Sequence, residues 1–241
     1  MKVAGIIPAR YGSTRFPGKP LALIGGKTMI QRTCEQALQS SLDAVVVATD
    51  DLRIFDEVQR FGGHAVMTRP DHRSGTDRCR EALDLIDEGF DAIVNIQGDE
   101  PFIDPRQIDQ VADLIRQPET TLATLARKIV DPTRVADPNT VKVVFDLNGN
   151  ALYFSRYPIP YVRGEAEIDH YQHIGIYAYK ADTLRAVAGL PAGRLEQAES
   201  LEQLRWLENG LHIKVAVTSI QASYGIDTPD DLCRLPKELL Q

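Results

Sequence analysis

The sequence has few cysteines and no long apolar run, and each scarcity excludes a class of protein. Its 241 residues include Cys34, Cys79 and Cys233, which are widely spaced and form no C-x-x-C pair. This spacing argues against a disulfide framework and a zinc ribbon, and it predicts a reducing, cytoplasmic location. No segment approaches the ~18 uncharged apolar residues that a membrane span requires, so we expect no membrane partner. The apolar run Val3–Ile7 ends at Pro8 and is too short for a signal peptide.

Acidic residues are absent from the first 34 positions, which contain six lysines or arginines. The whole chain nevertheless carries a net charge of −7. An acidic chain is a poor general binder of nucleic acid, because the phosphate backbone requires clustered positive charge. A local cationic region on an acidic body suits a small anion better. We therefore expect a small-molecule ligand and no nucleic-acid partner.

Short apolar runs alternate with helical patterns in the first half of the chain. The predicted strands are Val3–Ile7, Ala44–Ala48, His64–Thr68 and Ala92–Ile96. The predicted helices are Thr28–Gln39, one running from Asp50 or Asp51 to Phe61, Gly75–Asp87 and Pro105–Ile115. Repeated β-α units of this length imply a parallel sheet with helices on both faces. The pattern predicts a Rossmann-like α/β fold with a mostly parallel sheet.

Strands follow one another more closely after Thr121, which predicts an antiparallel insertion in the second half. The predicted strands are Leu122–Ile129, Val141–Phe145, Ala151–Phe154, His173–Tyr179 and Ile213–Val217, with a hairpin turn at Asn148-Gly149. The predicted helices are Ala181–Ala188, Leu195–Glu208 and Thr228–Leu240. No repeat and no Gly-, Ser- or Pro-rich linker divides the chain. We therefore predict a single domain over residues 1–241.

Positive charge is concentrated in the loop at residues 8–20, which follows the first strand. Ligands of open α/β sheets bind at the carboxyl ends of the strands, where this loop begins. Glycines let backbone N–H groups approach an anion, hydroxyls add donors and cations supply charge; the residues concerned are Gly12, Gly18, Ser13, Thr14, Arg10, Arg15 and Lys19. The loop matches neither the P-loop nor the dinucleotide motif. A solvated turn is the alternative, but the lack of nearby acids in the sequence favours a polyphosphate site.

Two aspartates are candidate ligands for a divalent cation. Asp99 follows the strand Ala92–Ile96, so it should project at the same sheet edge as the basic loop. A carboxylate that faces a triphosphate requires a cation between them, and Mg²⁺ is commonly held by one or two carboxylates plus substrate oxygens. Asp227, in a turn before the last predicted helix, is the second candidate. Each could instead cap a turn or helix, Asp99 near Pro101 and Asp227 before Thr228.

Seven segments carry a family resemblance, and they occur in the family's order. They are P-A-R-Y-G-S-T-R-F-P-G-K-P at 8–20, H-R-S-G-T-D-R at 72–78, N-I-Q-G-D-E-P at 95–101, A-L-Y-F-S-R at 151–156, H-I-G-I-Y at 173–177, L-E-Q-L-R at 201–205 and G-I-D-T-P at 225–229. Together they closely resemble the 3-deoxy-manno-octulosonate (Kdo) cytidylyltransferases, also called CMP-Kdo synthetases. The related sialate cytidylyltransferases have a Gly-Ser-Lys stretch where this chain has Ser13-Thr14-Arg15, which counts against them.

This resemblance implies an enzyme that converts CTP and Kdo into CMP-Kdo and pyrophosphate for lipopolysaccharide biosynthesis. In that reaction the anomeric hydroxyl of the sugar attacks the α-phosphate in line, with Mg²⁺ as cofactor. The resemblance further implies a nucleotide-diphospho-sugar transferase-like fold and a homodimer. Residues 1–120 would mainly bind nucleotide, and residues 121–215 would mainly bind the sugar acid or form the dimer.

Roles for individual residues also follow from the resemblance. The catalytic set is Arg10, Lys19 and Asp99, and the metal ligands are Asp99 and Asp227. The nucleotide set is Ala9, Arg10, Gly12, Ser13, Arg15, Lys19, Ser74, Arg78 and Gln97, with either Ser74 or Arg78 reading cytosine. The sugar set is Gln97, Arg156, His173, Tyr177, Glu202 and Gln203. By residue type alone, Ser74 or Thr76 is a helix cap and His173 is a core histidine. Glu202 is by the same criterion an exposed acid, paired with Arg205 and Arg194 or with nothing.

Two other functions stay open from the sequence. The first is a nucleotidylyltransferase for another acceptor, namely 8-amino-Kdo, sialic acid or a sugar 1-phosphate. The second is a non-catalytic nucleotide-binding module, since a fold does not determine a function. Carboxylates at both Asp99 and Asp227 argue against that module, because a triphosphate binder gains little from them. No Ser-His-Asp ordering or activated cysteine is evident, so we expect no covalent intermediate.

Overall fold

A mixed β-sheet forms the centre of the protein in a computed structural model, which describes residues 1–13, 15–86, 89–165, 167–221 and 224–240. Thr14 and Asp87, which belong to the predicted loop and helix, lie outside the described residues. The strands are β1 (Val3–Ala9), β2 (Leu23–Ile24), β3 (Lys27–Thr28), β4 (Ala44–Thr49), β5 (His64–Met67), β6 (Ala92–Asn95), β7 (Leu122–Lys128), β8 (Lys142–Phe145), β9 (Ala151–Ser155), β10 (Tyr171–Lys180) and β11 (Lys214–Val217).

The main path of the sheet has the strand order β11-β7-β10-β6-β1-β4-β5. β1 pairs in parallel with β4 and β6, β4 pairs in parallel with β5, and β7 pairs in parallel with β11. β10 is antiparallel to its neighbours β6 and β7, so it alone reverses direction among the described strands of this path. The mostly parallel α/β sheet that the sequence predicts is confirmed.

Helices cover both faces of the sheet. They are α1 (Met29–Ala37), α2 (Leu52–Arg60), α3 (Gly75–Leu85), α4 (Pro105–Arg116), α5 (Thr133–Ala136), α6 (Ala181–Ala188), α7 (Arg194–Glu199), α8 (Gln203–Glu208) and α9 (Pro229–Cys233). In β1, Val3 and Ile7 pack against α1, α2 and α4, while Ala4 and Ile6 belong to the core that includes α3, α6 and α8. Successive residues of a strand face opposite sides of the sheet, so one apolar run serves both cores.

Two of the helices begin at the residues that the sequence indicates. The Thr28 hydroxyl accepts a hydrogen bond from the Gln31 N–H at the start of α1, and the Asp51 carboxylate accepts one from the Arg53 N–H at the start of α2. Such caps satisfy backbone donors that have no partner within the helix. Gly62, at φ +82°, adopts the left-handed conformation that ends α2.

The strand register brings the ends of β1, β4 and β6 to one edge of the sheet. Ala9 pairs with Thr49, and Ile6 pairs with Asn95. The chain therefore leaves these three strands side by side, and the following segments carry the basic loop, Asp50 and the 97–99 turn. This is the edge at which ligands of open α/β sheets bind.

The second half contains the antiparallel insertion that the sequence predicts. β8 and β9 form a hairpin, and β8 also pairs with the beginning of β10. Gly149, at φ +77°, makes the turn between the two strands, and its N–H donates to the Asp146 carbonyl at 2.9 Å. The predicted Asn148-Gly149 turn is confirmed.

The prediction of one helix over Leu195–Glu208 is wrong, because the chain forms α7 and α8 with a break at Ser200. Ser200 has φ +52°, which is left-handed backbone. The preceding Glu199 carboxylate accepts hydrogen bonds from the Ser155 hydroxyl at 2.6 Å and the Arg156 N–H at 2.9 Å. These bonds to the insertion hold the end of α7, and α8 begins as a separate helix after the left-handed Ser200. Helical spacing along the chain does not record such long-range contacts.

The prediction of a closing helix over Thr228–Leu240 is also wrong. α9 ends at Cys233, and a separate 3₁₀ turn covers Lys237–Leu240. Pro236 lies between them, lacks an N–H and disfavours helical backbone at the residue before it. The β2–β3 ribbon and α5 are short elements that the hydrophobic pattern does not predict.

Two of the cysteines are small core residues, as predicted from their place on helices. Cys34 and Cys79 are buried, and burial raises the pKa of the Cys34 thiol to about 12. Within the described part of the chain, no helix has both the length and the apolar character needed to cross a membrane.

Candidate active site

The basic loop closes on itself immediately after β1. The Tyr11 carbonyl accepts hydrogen bonds from the N–H groups of Ser13 at 2.9 Å and Gly18 at 3.0 Å. Gly18 has φ +70°, and a side chain there would meet the Tyr11 ring at 3.1 Å, so glycine is required for both reasons. Lys19 follows in a 3₁₀ turn whose second residue is the buried Pro20. The loop thereby directs its cations back toward the sheet edge.

A cavity of about 290 Å³ lies at this sheet edge, bounded by the basic loop, the start of α3 and the turn after β6. Its lining contains Pro8, Ala9, Arg10, Ser13, Arg15, Lys19, Pro20, His72, Arg73, Ser74, Gly75, Arg78, Gln97, Gly98, Asp99 and Asp227. All the predicted nucleotide, catalytic and metal residues are among them except Gly12. Gly98 lies so close to β1 that a Cβ would approach the Pro8 carbonyl at 3.1 Å. The turn that carries Asp99 therefore packs directly against the end of β1.

Opposite charges meet at one end of the cavity. The Lys19 ammonium lies 2.7 Å from Asp99 Oδ2 and 3.3 Å from Asp227 Oδ1. The Arg15 guanidinium forms hydrogen bonds with both oxygens of Asp227, at 3.2 and 3.3 Å. The two carboxylates come from segments 128 residues apart in sequence, and the Ile226 N–H donates to the Asp99 carbonyl at 2.9 Å. This backbone bond holds the two segments together independently of the side chains.

The donor set at Asp99 and Asp227 fits Mg²⁺. Two carboxylates bracket one positive group, and the described residues contain no larger cluster of His, Cys, Asp or Glu that could hold a metal. Mg²⁺ is usually bound by one or two carboxylates, with waters and substrate phosphates completing its six oxygens. Arg10 also lines the cavity and can bind a phosphate there.

Ser74 begins α3 as a capping residue. Its hydroxyl accepts from the Asp77 N–H at 3.2 Å, and the Asp77 carboxylate accepts from the Ser74 N–H at 3.3 Å. This reciprocal pair is a capping box, which satisfies two backbone donors. The cap interpretation of Ser74 is therefore confirmed, and its contact with a base stays a prediction. Ser74 and Gly75 still form part of the cavity wall.

Arg78 is buried, and its guanidinium is held from two sides. It donates to Asp50 Oδ2 at 2.8 Å and to the Thr68 hydroxyl at 2.5 Å. Asp50 follows β4 and Thr68 follows β5, so the guanidinium ties α3 to the ends of two strands. Arg78 also lines the cavity, and its other N–H groups can donate to a ligand there. Its role in base recognition stays a prediction.

Glu202 is connected to the nucleotide side through α3. Its carboxylate accepts a hydrogen bond from the Thr76 hydroxyl at 2.9 Å. Burial raises the pKa of Glu202, while hydrogen bonds from Ser74 and Thr76 oppose that rise. The expectation from residue type alone, an exposed acid paired with Arg205 and Arg194 or with nothing, is wrong, because Glu202 is partly buried and accepts from Thr76. Arg205 instead binds Glu196 at 2.5 Å.

Polar atoms without partners lie beside Glu202 in the core. Among the described residues, neither the Tyr177 hydroxyl nor Trp206 Nε1 has a hydrogen-bond partner. Their rings are perpendicular, with centroids 5.0 Å apart. Burial, and to a lesser extent the Glu202 charge, raise the pKa of Tyr177 well above its ordinary value. Gln203 is buried next in sequence to Glu202. Unpaired buried polar atoms are rare and indicate a position where a polar ligand or water binds.

His173 lies on β10 in the same aromatic group. Its Nε2 is 3.0 Å from the Thr124 hydroxyl, and its ring centroid is 5.3 Å from that of Tyr177. Desolvation lowers the pKa of His173 to about 3, so its imidazole is neutral at physiological pH. This is the satisfied core histidine that its residue type indicates.

Arg156 uses its guanidinium to hold the backbone of other segments. It donates to the carbonyls of Glu199 at 2.7 Å, Pro138 at 3.0 Å and Ser200 at 3.3 Å. These bonds join β9 to the break between α7 and α8. The cavity lining does not include Arg156, nor the other predicted sugar residues His173, Tyr177, Glu202 and Gln203. At the start of α3, hydrogen bonds from Ser74 and Thr76 to Glu202 connect the predicted nucleotide and sugar groups.

Several cavity-wall or supporting residues are absent from the sequence-based list. Asp50 and Thr68 hold Arg78, and Thr76 binds Glu202. His72 and Arg73 line the cavity, and the His72 ring binds the Glu81 carboxylate. The segment at 72–78, which carries part of the family resemblance, contains His72, Arg73 and Thr76. The resemblance could therefore have indicated these three residues as part of the site. Nothing in the sequence distinguishes Asp50 from the neighbouring helix cap Asp51.

Comparison with known proteins places these features in a family. A sequence model of the Cytidylyltransferase family matches residues 4–214. A 3-deoxy-manno-octulosonate cytidylyltransferase of Parabacteroides distasonis is 53% identical over 242 residues, with 96% of each chain covered. The enzyme of the same name from Thermodesulfovibrio yellowstonii is 51% identical, with 94% of each chain covered.

Solved structures give the same result. A CMP:2-keto-3-deoxy-manno-octonic acid synthetase complexed with CTP aligns with a TM-score of 0.91 and 46% identity, covering 97% of this chain and 96% of that one. A cytidylyltransferase from Leptospira borgpetersenii, at 20% identity and a TM-score of 0.63, shares the fold. With these matches over nearly its whole length, the chain belongs to the 3-deoxy-manno-octulosonate cytidylyltransferase family.

Proposed function

We propose that this chain transfers the CMP moiety of CTP to Kdo, releasing pyrophosphate and forming CMP-Kdo for lipopolysaccharide biosynthesis. The observation that carries the proposal is the cavity in which Lys19 and Arg15 meet Asp99 and Asp227 beside Arg10. A triphosphate and a sugar acid are both anions. A site that joins them therefore needs fixed positive charge more than a strong base.

The basic loop supplies the groups for the triphosphate. Arg10, Arg15 and Lys19 point charge into the cavity, and Ser13 adds a polar group to the same wall. Positive groups placed where charge develops stabilise the leaving pyrophosphate, and this electrostatic term is usually the largest in such catalysis. Gly12 lies outside the lining, so its contact with the nucleotide stays a prediction.

The carboxylates supply the metal site. Asp99 and Asp227 would hold Mg²⁺, as argued from their donor set above. When bound, Mg²⁺ would neutralise charge between the sugar acid and the phosphates and favour ionisation of the attacking hydroxyl. Gln97 lies in the same turn as Asp99 and lines the cavity, so it can donate to either substrate. The chain's own contribution is to orient the anomeric hydroxyl in line with the α-phosphate.

Kdo has one carboxylate and several hydroxyls, so its site requires donors and acceptors in a mostly enclosed pocket. Tyr177, Glu202 and Gln203 would provide these groups, and the unpaired Tyr177 hydroxyl supports this assignment. His173 packs under Tyr177 as a neutral donor or acceptor. Arg156 holds the backbone at Pro138, Glu199 and Ser200 through its hydrogen bonds to these three carbonyls.

We also propose that the chain forms a homodimer through its insertion. Large apolar side chains on this segment are exposed; they are Leu147, Leu152, Tyr157, Tyr161, Val162 and Ile168. Clustered exposure of this kind is typical of a protein–protein interface. A cytoplasmic location is likewise proposed, supported by the free state of Cys34, Cys79 and Cys233.

A substrate panel tests the proposed function. CTP, UTP, GTP and ATP are each combined with Kdo, 8-amino-Kdo, sialic acid and a sugar 1-phosphate, and pyrophosphate release is measured with and without Mg²⁺. We expect rapid Mg²⁺-dependent release with CTP and Kdo. Preference for another acceptor would reassign the substrate, and CTP binding without pyrophosphate release would make the chain a nucleotide-binding module.

A pair of variants tests the sugar side within the same assay. Glu202→Gln keeps the size and the acceptor for Thr76 but removes the charge, and it should raise the KM for Kdo while leaving the KM for CTP nearly unchanged. Arg80→Gln is the matched surface control, because Arg80 forms an exposed ion pair with Asp84 on α3. Equal changes in both KM values for Glu202→Gln would contradict the assignment of Glu202 to the sugar.

A further inference from the structure

The Lys19 ammonium occupies the position that a divalent cation would take between Asp99 and Asp227. Its ammonium is 2.7 Å from Asp99 and 3.3 Å from Asp227, so it lies between the two carboxylates that would hold a divalent cation. Arg15 contacts the remaining oxygen of Asp227 at 3.3 Å. The negative charge of the pair is thus already balanced by side chains of the chain itself.

A divalent cation on these carboxylates would stand beside the Lys19 ammonium. Adjacent positive charges repel strongly, and this repulsion is screened only in part where the groups are partly buried. The Lys19 side chain is 15% exposed, and that of Asp99 is 33% exposed. Two carboxylates also leave at least four positions of a six-coordinate ion to water or substrate. Before nucleotide arrives, the metal therefore gains few ligands and meets a competing cation.

A triphosphate changes both conditions. Lys19 and Arg15 line the cavity that would receive the phosphates, and a lysine side chain can turn between partners on its flexible four-carbon stem. Phosphate oxygens would draw the ammonium away from the aspartates and supply further metal ligands. The Ile226 N–H bond to the Asp99 carbonyl keeps the carboxylate segments together while the lysine moves.

We propose that Lys19, assisted by Arg15, is an internal counter-cation that excludes divalent metal from Asp99 and Asp227 until a triphosphate engages it. The proposal rests on the proposed function, since it takes these two aspartates as the metal ligands. It adds an order: metal binding to the chain depends on nucleotide. By thermodynamic reciprocity, metal must then increase nucleotide affinity by the same factor.

Mn²⁺ binding to the full-length chain, without any nucleotide, tests the proposal. Free Mn²⁺ is counted by electron paramagnetic resonance for wild type, Lys19→Met and Arg15→Met. Methionine keeps an unbranched side chain but removes the charge. We expect Lys19→Met to bind Mn²⁺ at least ~10-fold more tightly than wild type, because a unit charge in contact is worth a factor of this order even with partial screening. Arg15→Met should produce a smaller increase, since Arg15 contacts one aspartate.

Two controls locate the effect. Lys27→Met removes an exposed lysine that pairs with Glu35 away from the cavity, and it should leave Mn²⁺ binding unchanged. Adding Asp99→Asn to Lys19→Met should abolish the gain. An unchanged or weaker Mn²⁺ affinity in folded Lys19→Met, judged by its circular dichroism spectrum, would overturn the proposal. Because this readout requires neither CTP nor Kdo turnover, its failure is separate from a failure of the substrate panel.

Discussion

The ion pair between Arg78 and Asp50 allows a quantitative prediction for the cavity wall. Their side chains are 4% and 16% exposed, and their closest atoms are 2.8 Å apart. Asp50→Ala would leave a buried guanidinium without its carboxylate. Breaking a buried pair in this way typically costs about 3–5 kcal/mol. Since Thr68 still accepts from Arg78 and the cavity admits water, we expect a smaller loss of about 2–3 kcal/mol, which is just below that range.

Urea unfolding measures this loss directly, and thermal unfolding provides a second reading. For a chain of this length each kcal/mol lowers Tm by about 2–4 °C, so a fall of roughly 5–10 °C is expected. Asp50→Asn keeps an acceptor at the same position and should lose about half as much free energy of unfolding. The double variant Asp50→Ala/Arg78→Met should lose less free energy of unfolding than the two single variants lose together, because neither charge remains without its partner. Additive losses, or an Asp50→Ala loss under ~0.5 kcal/mol, would refute this account of the pair.

Three further predictions concern individual site residues. Asp99→Asn should lower turnover at least ~10²-fold, the scale of one transition-state contact, as should Lys19→Ala; near-normal pyrophosphate release in both would contradict the mechanism. The low folded pKa of His173, about 3 against an ordinary 6.5, means that the unfolded chain binds the proton first, so stability should fall as pH decreases from ~6.5 toward ~3. Urea midpoints of His173→Gln should show a weaker pH dependence in that range. The raised pKa of Glu202 has the opposite sign: above the ordinary value of 4.5 the unfolded chain ionises more readily, so wild type loses stability as the pH rises. Glu202→Gln should therefore gain stability relative to wild type as the pH rises above 4.5, and a stability difference that does not change with pH would contradict this.

Local sequence signals were sufficient for much of the fold. Apolar runs such as Val3–Ile7 and the caps Thr28 and Asp51 depend on neighbouring residues alone, so reading them requires no knowledge of the rest of the chain. The same holds for the basic loop, whose charge and glycines are contiguous. The parallel direction of the first strands could be predicted because right-handed β-α-β connections leave few alternatives.

Contacts between distant segments account for what the sequence did not predict. The helix break at Ser200 depends on hydrogen bonds from β9, which lies more than 40 residues earlier in the chain. Asp50 is indistinguishable from Asp51 by local pattern, yet one holds a buried arginine and the other caps a helix. Residue type alone made Glu202 a surface acid, whereas in the structure it is partly buried and accepts a hydrogen bond from Thr76. In each case a polar side chain acquires its role from a partner that folding brings to it.

This dependence on distant partners explains why the residues predicted for the nucleotide, except Gly12, line one cavity, whereas most of those predicted for the sugar lie outside it. The nucleotide groups lie on loops that leave neighbouring parallel strands, so the topology alone brings Arg10, Lys19 and Asp99 to one edge. The groups predicted for the sugar lie on β10 and α8, whose placement follows from an antiparallel insertion and a helix break. Hydrogen bonds from Ser74 and Thr76 join Glu202, at the start of α8, to the start of α3, and the bond from Thr76 is 2.9 Å long. If that bond transmits position between the two substrates, Thr76→Val should raise the KM for Kdo with little change in the KM for CTP, while Thr76→Ser, which keeps the hydroxyl, should restore both. Loss of activity in the serine variant equal to that in the valine variant would mean that packing, and not the hydrogen bond, is what matters at this position.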